Sequence, residues 1–355
     1  MSDIDIEPAG AADEPDETGS GRLGASYTKL FTGTVVSNLG DGMATVAYPW
    51  LASAITRNPI LVALVAVAQR LPWLLFTLPA GVITDRVDRR QAMISMDVLR
   101  GCLTLVVAFA VLGAQDTLPG PDDLGGVTGT RSGLFLLILA ATLLLGMAEV
   151  LRDNSNQTIL PNIVAPHQLE LANGRIWSVE GVMNTFAGPP LGSILLLAAF
   201  SLPFFVDAGT FFVAAAMVFL IPGTFRAERD GATPKQTFRE ELGEGVRWLM
   251  AHSLLRPMAI ILGLMNGAAM ITGATIVLFA QEVLEIGPVL FTVLFFGGAL
   301  GGLVGGNIAP TISRRFGSGT SLAIALGGMA IGPLLVGAIP WWPLVIVVFG
   351  IEALL

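Results

Sequence analysis

The chain is a succession of apolar stretches, each about as long as a helix that crosses a bilayer. Crossing a hydrocarbon core of ~30 Å takes roughly 20 residues of α-helix. Backbone inside lipid must satisfy its own hydrogen bonds, which leaves helices as the way to use such stretches. They lie at 30–55, 60–84, 92–114, 133–151 (with a continuation toward 161), 171–198, 202–221, 258–280, 288–312 and 318–339. A tenth begins at Trp341 and reaches Leu355. At about 1.5 Å per residue it covers about 22 Å, less than a full crossing. Apolar residues make up 53% of the 355 and charged residues only 13%, too little polar surface for a water-soluble domain of this size. The fold class expected is all-α, a polytopic membrane protein.

Other classes are excluded by what is scarce. The single Cys102 cannot form an internal disulfide, and with two His there is no Cys/His set for zinc or for nucleophilic catalysis. No metal and no cofactor are expected. The formal charge is −8, of which residues 1–29 supply −5, with seven acids against Arg22 and Lys29. The remainder is nearly balanced, so nucleic acid is not an expected partner. Residues 1–29 read as a disordered acidic tail, without the basic start and apolar run of a signal peptide.

Lys and Arg set the orientation. With the N-terminus in the cytoplasm, fifteen of the 19 fall in the tail or at one face. Arg57 and Arg131 fall at the other, and Arg70 and Arg100 inside spans. Arg152 is counted among the fifteen, although the fourth span could run past it. The expected location is the cell membrane, multi-pass, with a cytoplasmic N-terminus. Residues 30–222 then hold six spans, 223–257 a cytoplasmic linker, and 258–355 four spans. Within the linker, 238–255 alternates charge with apolar residues. That suits an amphipathic surface helix or a solvated linker helix. The loop at 115–131, rich in Gly, Pro and Asp, is expected to be flexible.

An internal repeat crosses the linker. GVITDRVDRR at 81–90 and GNIAPTISRR at 306–315 align at a shift of 225, matching Gly81, Arg89 and Arg90 with Gly306, Arg314 and Arg315. Repeated halves with a binding site near the midplane between them are a transporter design.

Charges inside spans are costly in lipid, so they face protein or water. Asp41, Arg70, Glu149 and Glu180 come from four different spans. The expectation is one aqueous chamber lined by all four, binding substrate or protons; the alternative is an ion-pair network that only orients helices. Asp97 and Arg100, three apart on one helical face, are expected to form a gating cluster near 86–90. Asp207, close to the outer end of its span, reads as solvated or capping.

Glycine and proline mark packing. Gly188-Pro189-Pro190-Leu191-Gly192 interrupts the fifth span and suits a hinge or a tight seal. Gly174, Gly181 and Gly188 recur every seven residues, on roughly one face. GGALGGLVGG at 297–306 has no preceding strand and no following Lys-Ser/Thr. It reads as helix packing, not a phosphate loop.

These motifs resemble the major facilitator superfamily. The 81–90 segment is similar to its signature between helices 2 and 3, with Asp88 in place of the usual Gly. Gly188, Pro189 and Gly192 resemble the antiporter motif of drug–proton exporters. Ser37-Asn-Leu-Gly40-Asp41, Leu160-Pro161-Asn-Ile-Val164, Leu171-Ala172-Asn173 and Glu244-Gly-Val-Arg247-Trp248 resemble the enterobactin-exporter-like and macrolide-efflux-like branch. The resemblance covers about 27–355. It implies a two-bundle fold of twelve helices, of which ten are present, so two further helices are expected beyond Leu355. It also implies alternating access without ATP and proton-driven export of small amphipathic molecules such as drugs, siderophores or metabolites. Asp85 would then lock the cytoplasmic ends of the two bundles, with Gly81, Arg86, Arg89 and Arg90 in the same gate. The partners implied are a small-molecule substrate, protons and the lipid bilayer, with the protein a monomer. Neither a non-transport sensor or assembly partner nor an impaired, truncated transporter is excluded by the residues. An intramembrane enzyme lacks any nucleophile–base pair.

Overall fold

The computed structural model describes residues 23–120, 124, 127, 129–226 and 238–354; most of the acidic tail lies outside the described residues. The described chain is helical. The order is α1 (Ala25–Ile55), α2 (Pro59–Thr84), α3 (Arg89–Ala114), α4 (Ser132–Ile159), α5 (Leu169–Val182), α6 (Gly188–Ala198), α7 (Leu202–Phe219), α8 (Phe238–Ala251), α9 (Leu255–Glu282), α10 (Pro288–Phe316), α11 (Ser318–Ala338) and α12 (Trp342–Leu354). Among the described residues seven spans are long and apolar enough to cross a membrane, one of them running through α5 and α6. The long α1 is not one of the seven, being rich in Thr, Ser and Gly.

Local chemistry sets the element boundaries. Asn58 caps α2, its side chain accepting from the Ile60 N–H at 3.0 Å, with Pro59 at the first helical position. Asp88 caps α3 by accepting from Gln91 N–H at 3.0 Å. Its other oxygen accepts from Phe225 N–H at 2.7 Å, which fastens this turn to the segment after α7. The second copy of the repeat behaves differently. Residues 306–315 stay helical to the end of α10, so Arg314 and Arg315 lie in its last turn, whereas Arg89 and Arg90 start α3. α10 is followed by Gly317 at φ 80°, a conformation that favours glycine.

The fourth span runs on toward 161, the longer of its two readings. α4 continues through the polar run Arg152-Asp153-Asn154-Ser155-Asn156 to Ile159, because these side chains face other helices or bond to carbonyls one turn back. Arg152 is therefore inside the helix bundle and leaves the basic face on which it was counted. The loop after α3 is anchored where it is described: Leu124 is buried, Thr130 Oγ1 and Thr56 Oγ1 bond at 2.7 Å, and Arg131 donates to Thr117 Oγ1 at 2.6 Å. α8 forms the expected linker helix, with Val246, Trp248 and Met250 exposed.

Glycines let helices touch backbone to backbone. On α10, Gly297, Gly301 and Gly305 meet the α12 backbone at Ile346, Gly350 and Leu354, as the packing reading of 297–306 expects. On α6, a Cβ at Gly188 would lie 2.5 Å from Gly42 Cα, and one at Gly192 2.8 Å from Met43 O. Gly174 and Gly181 have open space around them, so the seven-residue spacing does not make one packed face.

Two apolar clusters hold the bundle. At the face where α1 begins, here the tail face, Leu30, Met93, Ile159, Ile176 and Val218 pack among α1, α3, α4, α5 and α7. Toward the opposite or far face, a larger cluster joins helices from both sides of the linker. Trp50 of α1 and Phe291 of α10 have ring centroids 5.1 Å apart. The far-face ends are also tied by polar contacts. Arg57 donates to Gln281 Oε1 at 2.6 Å and pairs with Glu282 at 2.5 Å, while Gln281 Nε2 donates to Ser53 Oγ at 2.9 Å. The tail-face half of α9 is largely exposed.

Val at Gly188 or Gly42 would force α1 and α6 apart. Overpacking of this kind costs about 1–3 kcal/mol. Each variant is expected to lower the unfolding temperature of the purified protein, read by intrinsic fluorescence, whereas Ala at Gly181 should leave it near the parent value.

Candidate functional site

Asp41 sits halfway along α1, flanked by glycines that serve different neighbours. At Gly40 a Cβ would overlap the Asp207 carboxyl and the Thr210 hydroxyl of α7; at Gly42 it would collide with Met183 O and Gly188 Cα. The Gly-Asp-Gly triplet thus lets two helices close on α1 while the carboxylate between them reaches Arg100 of α3. That guanidinium also donates to Ser37 Oγ at 3.3 Å, and its Cζ lies 4.0 Å from the centroid of the Phe211 ring.

One turn away, Asp97 lies 3.8 Å from Arg100 Nη1 and 3.4 Å from Arg152 Nε, and Arg152 Nη1 reaches Asp153 at 3.3 Å. An ionic chain therefore runs from α1 through α3 to α4. Asp97 and Arg152 are buried, with side chains no more than 1% exposed. Buried charges are tolerated when paired, and removing one partner costs about 3–5 kcal/mol.

The structure divides the charged residues singled out by sequence. Asp41, Arg70 and Glu149 line a common cavity of about 380 Å³, together with Arg100 and Asp207. Glu180 is not on its wall; it is half-buried on α5, one turn before the residues that are. Asp97 and Arg100 do lie together, as their spacing implies, but Arg100 also pairs with Asp41 and stands on the cavity wall. Asp207 is not solvated: it is 2% exposed, packed against Gly40, and Oδ1 has no hydrogen-bond partner among the described residues. Sequence reasoning missed Arg152 and Asp207. The signal for Arg152 was its place three residues after Glu149, on the same helical face; distance from a helix end could not tell that Asp207 faces inward.

A second cavity, of about 470 Å³, adjoins the first and shares Thr45, Gln69, Arg70, Asn184 and Thr185 with it. Its other walls include Ile276 and Val277 of α9 and Phe291 and Phe295 of α10. Asn184 and Thr185 reach both cavities from a π-helical turn, Met183–Ala187, between α5 and α6. Pro189 and Pro190 lack N–H donors for carbonyls one turn back, which accounts for the break at this point. Asn184 Nδ2 donates to Asn38 Oδ1 at 2.7 Å, fixing the turn against α1. The arrangement is a midplane space, ionic on one side and apolar on the other, built between helices from both sides of the linker.

The 81–90 segment lies at the tail face. Asp85 and Arg86 are exposed. Arg89 donates to Asn162 Oδ1 at 3.4 Å, and Arg90 donates to the carbonyls of Val218 at 3.3 Å and Phe219 at 2.5 Å. Lys29 adds a bond to Leu220 O at 2.8 Å, so two cations serve the C-terminal carbonyls of α7. A Cβ at Gly81 would meet nothing within 4 Å. Among the described residues no cluster of His, Cys, Asp or Glu could hold a metal ion.

Comparison with known proteins agrees with this architecture. The profile of a family described as transmembrane secretion effector matches residues 24–352. The multidrug efflux pump Tap of Mycolicibacterium fortuitum is 25% identical over 331 residues, which is 89% of this chain and 74% of that protein. The multidrug efflux pump Tap of Mycobacterium tuberculosis (strain ATCC 25618 / H37Rv) is 23% identical, with 93% and 76% covered. Among solved structures, nucleoside transporter NupG (D323A mutant) superposes with a TM-score of 0.64 at 12% identity, covering 92% of this chain and 80% of that one. A bacterial homologue of iron transporter ferroportin in an inward-facing state gives 0.60 at 17% identity, covering 93% and 81%. At these identities the structures speak for the fold alone.

The Asp97–Arg152 pair gives a direct check. Arg152→Met alone is expected to destabilise the protein by about 3–5 kcal/mol, by leaving a buried carboxylate unpaired. Asp97→Asn with Arg152→Met should recover much of that loss in thermal or denaturant unfolding.

Proposed function

The chain belongs to the transmembrane secretion effector family of the major facilitator superfamily, and we propose that it exports small amphipathic molecules in exchange for protons. The observation that carries this reading is the midplane space itself. Ionisable groups from α1, α2, α3, α4 and α7 converge on it, and part of its apolar wall comes from α9 and α10, beyond the linker. Charges are placed in a bilayer interior at a cost, and a transport pathway is a common reason. The similarity to pumps named for multidrug efflux supports export as the direction.

In this reading the tail face is cytoplasmic and the protein rests closed toward the outside. The Arg57, Gln281 and Ser53 contacts and the Trp50–Phe291 packing seal the far face. Solute enters from the cytoplasm, and the two groups of helices rock so that the seal opens while the tail face closes. Asp41 and Glu149 are the groups on which a proton would bear. Protonating Asp41 removes the nearer of Arg100's two counter-ions and weakens the tie between α1 and α3. A ligand or proton moves such an equilibrium only through its differential affinity for the two states. Asp85 and its neighbours would steady the cytoplasmic gate; their exposure at the tail face suits that role.

Cells expressing the protein should accumulate less of at least one compound in a panel of amphipathic antibiotics and dyes, and a protonophore should abolish the difference. Asp41→Asn and Glu149→Gln should each return accumulation to the level of cells lacking the protein. Unchanged export in both variants would take the carboxylates out of the mechanism.

The seal can be tested separately. With Cys102 replaced by Ser, cysteines at Ser53 and Gln281 should cross-link under oxidation and stop export, and reductant should restore it. Export that continues through the cross-linked protein would contradict far-face opening.

A further inference from the structure

The cavity's ion pairs are unevenly shared. Arg100 is occupied by Asp41 and flanked by Asp97, and Asp97 is held in turn by Arg152. Two charged groups of the cavity remain open to its interior: Arg70 on α2 and Glu149 on α4. Neither forms an ion pair among the described residues, although α2 and α4 pack together closely enough for Gly146 to touch Pro72. Arg70 also borders the apolar cavity, whose far walls carry Phe291 and Phe295. Asp207 also stands on the cavity wall without an ion pair among the described residues, but at 2% exposure against Gly40 it offers little surface to a solute.

We propose that Arg70 and Glu149 form a paired subsite for a zwitterionic amphipath, with the solute's acidic group on Arg70, its ammonium on Glu149 and its apolar body against Phe291 and Phe295. This rests on the reading of the space as a transport site and narrows the class of solute it takes. A simple cation would neutralise Glu149 but leave the fixed charge of Arg70 facing it; a simple anion would meet Glu149 in the same way. A zwitterion satisfies both groups at once. A planar guanidinium suits a carboxylate, offering two parallel donors. Because Arg70 stands on the boundary of both cavities, the charged end and the apolar end of one molecule can be seated together.

Three naphthyl probes with the same ring system separate the possibilities: 2-naphthylalanine as zwitterion, 2-naphthylethylamine as cation and 2-naphthylpropionate as anion. Binding to the purified full chain in lipid nanodiscs is measured by isothermal titration. The zwitterion is expected to bind about tenfold or more tighter than either singly charged probe, the size of a hydrogen-bonded charge contact. Arg70→Gln should erase its advantage over the amine, and Glu149→Gln its advantage over the acid. Arg70→Lys should keep part of the preference, and thermal unfolding of each variant shows whether it is folded. The proposal is overturned if the amine binds tightest and Arg70→Gln leaves or improves it. It is overturned equally if both variants weaken all three probes alike, or if none of the probes binds the parent protein. Probe discrimination that persists in a protein unable to export would instead defeat the transport reading and leave this subsite standing.

Discussion

An ion in a bilayer interior needs a counter-ion or water, and much of this architecture follows from meeting that need. The Asp41–Arg100 pair is the centre of it. It requires α1 and α3 to present their polar faces to one another, and the glycines beside Asp41 let α6 and α7 close around the pair. From there the chain of charges continues through Asp97 to Arg152, which holds α4 in place. Apolar surface offers little drive for helix association in lipid, so close backbone packing and polar contacts take over that work. The glycine contacts of α1 with α6 and of α10 with α12 are the packing half of that division.

The same arrangement leaves a useful imbalance. Charges that satisfy one another orient helices, and charges left facing the midplane space are available to a solute. Asp97 and Arg152 belong to the first kind. Arg70 and Glu149 belong to the second, and Asp41 stands between them as a structural ion whose neutralisation would loosen the bundle. The apolar wall from α9 and α10 makes the space depend on both sides of the linker, so relative motion of the two would change what it can hold.

Hydropathy and Lys/Arg placement made the helices legible, because crossing a bilayer dictates both segment length and the side on which cations fall. The starts and ends of α2, α3 and α11 lie close to where the apolar stretches put them. α4 takes the longer of its two readings, the continuation toward 161. Its last turns are polar in sequence yet are packed against protein, which a scale calibrated on lipid exposure does not register. The candidate site was legible in part for a related reason. Counting residues from helix ends located Asp41, Arg70 and Glu149 at the right depth. It carried no information about rotation, so Glu180 was assigned to the cavity wall and Asp207 to solvent. Which cation answers which carboxylate is a matter of non-local packing. Arg100 could be placed beside Asp97 by spacing, but its bond to Asp41, 59 residues earlier in the chain, could not.

Charge exchange across that bond tests the account most directly. Asp41→Arg and Arg100→Asp, singly and together, would be compared by thermal unfolding and by export. If the ion pair organises the bundle, each single reversal abolishes folded protein, because two like charges then meet in the interior, and the double reversal restores much of the parent's stability. Single variants that unfold near the parent temperature, or a double variant no better than the worse single one, would show that the pair is incidental and contradict the account.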